Sequence, residues 1–339
     1  MARAWEALAA TNRRSDNRRT SLRLGSFGVH LIFDSDDLAE ALQPQFAHIV
    51  EESQIECQLA IYVLAHDVLL QGLENEWRKV GLPGPNTSTS FRSDRLRVHA
   101  EFDTFGLAAF SVLDVTIGTA VYIAASAKRA RQIEGPYPFR VLFRWWTENT
   151  PHLWTHAAAV GEGENGVLIT GVGGSGKSST ALAVTGRRLQ FLSDDYVLVD
   201  PDLVASSIYA SLRVRQNMVN RFTPANPWFG KDWFSWNGKP SQVVGEDSFA
   251  HLSRSVIVRA IVTLSHGCAD GATFHRASAH AAMRAMSPVT ISRYCANPQT
   301  ALKKLAHIIG CLPVYEFHTT ANLSEMREPF ERFVGGLAA

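Results

Sequence analysis

At roughly 150 residues per domain, a chain of 339 residues points to about two domains. Hydrophobic residues make up 46% of it, enough for a sizeable core, which excludes a chain disordered throughout. Lysine and arginine total 33 against 32 acidic residues, and a net charge of +1 argues against a dedicated nucleic-acid binder. The four cysteines (Cys57, Cys268, Cys295 and Cys311) form neither a disulfide framework nor a CxxC zinc motif, so a reduced, cytoplasmic protein is expected.

Residues 1–23 hold Arg13, Arg14, Arg18, Arg19 and Arg23 interleaved with Asn, Ser and Asp, which predicts a solvated, flexible tail. No apolar core follows these charges, so a secretion signal is not expected. Residues 24–135 predict a smaller, strand-rich α+β domain. Gly28–Phe33 has a strand pattern, and Asp34–Asp37 can cap a helix from Leu38 to about Ile49. Ile55–Leu64 is a second strand. Arg95–Phe102 alternates, with Leu96, Val98, Ala100 and Phe102 on one face, which predicts a sheet with one dry and one wet side. Phe105–Ala127 carries a single charge, Asp114, over a length that could span a bilayer. Its serines, threonines, glycines and β-branched residues instead predict two buried strands joined at Asp114, and no membrane segment.

Residues 136–339 are the expected second domain. Pro136, Tyr137 and Pro138 precede a helical run from Phe139 to about Asn149, in which Trp145 and Trp146 are read as packing anchors. Beyond Pro151 the pattern becomes strand, glycine loop, helix, strand, the sign of an α/β domain.

Gly171-Val172-Gly173-Gly174-Ser175-Gly176-Lys177-Ser178 fits the phosphate-loop pattern of glycine, four residues, glycine, lysine and serine. The apolar strand Val167–Thr170 enters it, and a helix from Ser178 to Gly186 leaves it. Gly171, Gly173, Gly174 and Gly176 let the backbone curl around phosphate oxygens, with Ser175 and Ser179 in the same cofactor-binding set. The helix N-terminus adds favourable positive charge. Lys177 is positioned to reach the β- and γ-phosphates and the Ser178 hydroxyl to ligate magnesium, so ATP and Mg2+ are the expected cofactors.

Phe191–Val199 places Asp194 and Asp195 inside an apolar strand, with Asp194 seventeen residues after Lys177. Strand neighbours point to opposite faces, so the two acids divide their roles. One takes a proton from an incoming hydroxyl; the other, read as Asp195, belongs to the metal or its bound water. An ordinary turn at a strand edge is the plain alternative. His156, in the strand before the phosphate-loop strand, can approach Asp194 and tune or assist it. A lone histidine is otherwise structural.

The order His-Ala-Ala-Ala-Val, phosphate loop, Asp-Asp resembles the C-terminal kinase domain of HPr kinase/phosphorylase, and more closely the HPr-kinase-like kinases of lasso-peptide clusters. The resemblance spans about residues 139–335. It implies a fold similar to HPr kinase and phosphoenolpyruvate carboxykinase, following the smaller N-terminal domain. His156 then matches the histidine that supports the base, Lys177 and Ser178 the phosphate and metal contacts, and Asp194 the base. Ser179 stands where HPr kinase carries a glutamate, and the glycine-rich signature after the paired acids is not evident. Phosphorylase activity and HPr as substrate are therefore not expected. Ser211-Leu212-Arg213 is similar to the Ser-Leu-Lys segment of the peptide-kinase relatives, with Arg213 as a phosphate or substrate contact. The ring assembly of HPr kinase leaves a homo-oligomer open.

Trp228, Phe229, Trp233, Phe234 and Trp236 crowd residues 222–239. A lid or peptide groove and packing against the N-terminal region are equally compatible with them. Arg259 is a weaker candidate for a catalytic arginine. The expected activity is ATP- and Mg-dependent transfer of a γ-phosphoryl group to a hydroxyl, on a serine or the C-terminal residue of a precursor peptide. A small-molecule kinase and a nucleotide-dependent ATPase or switch are the alternatives.

Overall fold

A computed structural model describes residues 18–79, 87–222, 233–266, 271–291, 295 and 297–337. It is a mixed α/β protein with three sheets among these residues, and it divides into two compact units, Met1–Asn149 and Thr150–Ala339. No helix among the described residues is long and apolar enough to cross a membrane.

The first unit is built on a seven-stranded sheet of β1 (Arg18–Leu24), β2 (Phe27–Phe33), β3 (Cys57–Ala65), β4 (Thr87–Arg92), β5 (Leu96–Asp103), β6 (Gly106–Asp114) and β7 (Thr119–Ala124), in the order β1-β2-β3-β7-β6-β5-β4. Arg18–Leu24 is thus an edge strand, antiparallel to β2, where a flexible tail was expected. Thr20, Leu22 and Leu24 alternate inward while Arg18, Arg19 and Arg23 stay exposed. The expected helix to Ile49 is shorter, α1 (Asp36–Leu42), capped by Ser35, and gives way to a 3-10 turn at Pro44. Proline at that point has no amide to continue the helix. Helix α2 (Asp67–Arg78) follows β3.

The run Phe105–Ala127 folds as the two expected buried strands, β6 and β7. Val98, Ala100 and Phe102 share one core with Leu70, Leu73, Val112 and Val121. The opposite face is not wet as expected. After α3 (Ala127–Glu134), helix α4 (Arg140–Glu148) lies over it: Phe139 and Phe143 meet Phe46, and buried His99 sits edge-on to Trp145 at 6.1 Å. Those ring contacts explain why residues 136–149 fall in the first unit and not, as expected, in the second.

The second unit centres on a nine-stranded sheet formed by β8 (Leu153–Thr155), β9 (Ala158–Glu162), β10 (Asn165–Thr170), β11 (Gln190–Ser193), β12 (Val197–Val199), β13 (Val204–Ser207), β17 (Ser255–His266), β18 (Thr273–Ala277) and β19 (Val314–Thr319). A separate small sheet joins β14 (Ser211–Arg213), β16 (Lys239–Val243) and β15 (Phe234–Trp236) in that order. β10 lies between antiparallel β9 and parallel β17. Both faces of this region are covered, which is why β10 reads as a continuous apolar run. Val167 and Ile169 join the core of α5 (Lys177–Val184) and α9 (Arg327–Gly336), while Leu168 joins that of α7 (Ala279–Thr290) and α8 (Pro298–Cys311).

Phe330 of α9 is fully buried and edge-on to both Phe274 and Phe317 at 5.2 and 5.1 Å. Phe330→Ala is expected to cost about 3–5 kcal/mol of stability, through lost burial and the cavity left behind. Urea unfolding checks this, and a loss under about 1 kcal/mol would contradict the packing.

Candidate active site

Thr170 ends β10, and the chain turns through Gly171–Gly176 into α5. A Cβ on Gly171 would stand 2.4 Å from the Ser175 hydroxyl, and one on Gly174, at φ +86°, would stand 2.6 Å from the Arg215 guanidinium. Only glycine permits this tight curl. Helix α5 begins on Gly176 at φ +93° with no side-chain cap, so its first-turn amides are not taken up by a capping side chain. The Ser175 hydroxyl is buried and makes no hydrogen bond among the described residues. Lys177 is buried and folds back over the loop, donating to the Gly171 carbonyl at 2.9 Å. Burial lowers its pKa below the ordinary lysine value, and Asp195 and Asp194 partly restore it.

The paired acids do not lie inside a strand. Residues 194–196 interrupt the chain between β11 and β12, level with a second interruption at His156 and Ala157 between β8 and β9. The flanking pairs are Ser193 with Ala159 and Val197 with Thr155. Two adjacent strands therefore break at one level and bring His156 to the acids. Its partner is Asp195, at 3.2 Å from Nδ1 to Oδ1, and not Asp194 as expected. Arg213 lies 3.7 Å from the other Asp195 oxygen. With the His156 ring on one oxygen and the Arg213 guanidinium near the other, both Asp195 oxygens already have partners, which competes with the metal role expected for it. Asp194 is buried, and its carboxylate accepts the Arg213 backbone N–H at 2.8 Å. Burial pushes the His156 pKa below the ordinary histidine value of 6.5; Asp195 opposes that shift, and the Lys177 and Arg213 charges add to it.

A cavity of about 330 Å³ collects Gly173, Gly174, Gly176, Lys177, Ser178 and Ser179 from the loop, with His156, Asp195 and Arg213. Asp194 does not line it, and neither do Gly171 and Ser175, which shape the loop from behind. Arg259 is absent as well: it is exposed and donates to Asn165 at 2.6 Å, at the start of β10, whereas the loop follows its end. Trp228 and Phe229 lie outside the described residues. Trp236 is buried with the Arg213 guanidinium 5.3 Å above its ring, and Trp233 packs on the core beside α5.

Sequence reasoning missed Arg215, Arg221, Lys239 and His266, all of which line the cavity. Arg215 donates to the Gly174 carbonyl at 3.3 Å, and Arg221 to that of Ala321. Arg215 follows Arg213 by two residues, a period-2 signal; Lys239 follows the turn residues Asn237-Gly238. The others are brought in only by the topology.

Among the described residues, no group of three or more His, Cys, Asp or Glu side chains forms a metal site of its own. The curled loop, the unpartnered Ser175 hydroxyl, the Lys177 ammonium and the Ser178 hydroxyl fit a nucleotide phosphate with a magnesium ion, which takes few protein donors and completes its shell with phosphate oxygens and water.

No family model matches the chain, and no curated protein does. Among solved structures, the chain is similar to the HPr(Ser) kinase/phosphatase from Coxiella burnetii, with 16% identity over 55% of this chain and 99% of that one, at a TM-score of 0.31.

Proposed function

We propose that the second unit is an ATP- and magnesium-dependent kinase that phosphorylates a hydroxyl group. The acceptor classes are a peptide serine or C-terminal residue, which the sequence resemblance implies, and a small-molecule hydroxyl. The observation that carries this reading is one cavity lined by both a phosphate loop with its lysine and a carboxylate in contact with a histidine.

Bound ATP with magnesium supplies the transferable phosphoryl group and ADP as leaving group, the bond to the acceptor oxygen forming as the bond to the β-bridging oxygen breaks. Lys177 and the first amides of α5 hold the phosphates and offset their charge. Ser178 would hold the metal through its hydroxyl. Asp195 receives the proton of the acceptor hydroxyl, a role moved from Asp194 because Asp194 is turned to the Arg213 amide. His156, kept neutral by burial, leaves the Asp195 carboxylate free to take that proton.

Protonated His156 would pair with Asp195 and withdraw it as a base. Because the His156 pKa lies below 6.5, transfer is expected to rise with pH through an inflection below that value. The measurement is transfer of label from γ-labelled ATP to peptides and small hydroxyl compounds, with magnesium and with EDTA. His156→Asn should move the acid limb to lower pH, and an unmoved limb removes His156 from the mechanism. Failure of the protein to bind ATP overturns the kinase reading itself.

A further inference from the structure

The cavity holds more positive charge than a phosphate loop requires. Lys177, Arg213, Arg215, Arg221 and Lys239 all line it, against Asp195 as the one carboxylate on its described wall. Three of these cations have evident duties: Lys177 and Arg215 bond to carbonyls of the phosphate loop, and Arg213 faces Asp195. Arg221 and Lys239 do not share them. Arg221 donates to the Ala321 carbonyl and to the Met218 sulfur, both neutral, so no ion pair among the described residues cancels its charge. Lys239 begins β16, opposite Trp236 in the small sheet, and its ammonium has no hydrogen-bond or ion-pair partner among the described residues. It lines the same cavity as His156 and Lys177.

A metal-bound triphosphate brings its own counter-cation and cancels only part of such a field. Cations gathered along one cleft without matching acids are a receptor for a further anion. Resting on the kinase reading above, we propose that the acceptor carries an anionic group of its own, carboxylate or phosphate, held by Lys239 and Arg221 while its hydroxyl faces Asp195. A guanidinium suits either group as a bidentate donor, and the lysine supplies a point charge. Neutral alcohols are then poor acceptors, and the small sheet with α6 (Gln216–Phe222), the helix that follows β14, sets specificity.

The test is calorimetric titration of inorganic phosphate, and separately of acetate, into the full chain saturated with magnesium and a non-hydrolysable ATP analogue. A saturable anion site is expected in addition to the nucleotide, and the stronger of the two probes identifies the group. Lys239→Ala and Arg221→Ala should each weaken that site by roughly tenfold or more, with nucleotide affinity held within about twofold. Absence of anion binding to the nucleotide-loaded protein overturns the inference and leaves the kinase reading intact. So does nucleotide affinity falling in parallel in both variants, which would make them nucleotide contacts. If the wild-type chain binds no nucleotide, the kinase reading fails and this inference fails with it.

Discussion

Asp195→Asn is expected to lower phosphoryl transfer by about 10²–10⁴-fold, the usual contribution of a positioned general base. The amide keeps the shape of the side chain and its contact with His156, but it cannot hold the proton of the acceptor hydroxyl. Asp194→Asn separates the two acids. Its side-chain oxygen can still accept the Arg213 backbone N–H, now at 2.8 Å, so transfer should fall by less than about tenfold. Single-turnover rates on the two variants provide the measurement, with urea midpoints to show that both are folded. If Asp194→Asn is the crippled enzyme and Asp195→Asn retains its rate, the assignment of the base is reversed.

Lys177→Ala is expected to cost transfer about 10²–10³-fold, as for removal of one preorganised donor from a developing anion. Nucleotide binding should weaken as well, because the ammonium meets the phosphates before the reaction begins. The lysine is buried over the loop carbonyls with both acids acting on its charge, so its removal also leaves Asp195 and Asp194 nearer to each other's repulsion. Lys177→Arg retains the charge but places a wide planar group in a space shaped for a narrow stem, and is expected to recover little. Titration of nucleotide binding by fluorescence, beside the transfer rate, checks both statements; unaltered binding and rate in Lys177→Ala would remove the loop from the chemistry.

The phosphate loop was legible because it is local: strand, glycines, lysine and helix are consecutive, and each obeys its own backbone rule. The hidden pair Phe105–Ala127 was legible for a similar reason, as β-branched residues and glycine excluded a helix. Arg18–Leu24 was not, because its charges masked the alternation of Thr20, Leu22 and Leu24 that makes it a strand. The wet face of the first sheet was misjudged because strand alternation shows one buried side and cannot reveal a helix folded onto the other. In the candidate site, Asp194 and Asp195 stood out in sequence, but a strand reading placed them on opposite faces. The matched breaks at 156–157 and 194–196 depend on strand pairing and have no local signature. The hairpin that delivers Lys239 had a signal, Asn237-Gly238, with φ of +48° and +71° as two-residue hairpin turns require. Arg221 had none, since its place in the cavity is set by long-range packing.

The bond from the Arg213 amide to Asp194 joins the main sheet to the small one at the bend that carries Asp195. Arg213 extends from the same backbone toward Asp195 and rests on Trp236, a residue of that small sheet. Any ligand that orders the small sheet therefore also fixes the bend, and any ligand that fixes the bend orders the small sheet. Such a tie makes occupancy of the two halves of the cavity thermodynamically reciprocal: whatever factor the first occupant adds to the affinity of the second, the second returns to the first. Asp194 takes part in that tie without lining the cavity itself.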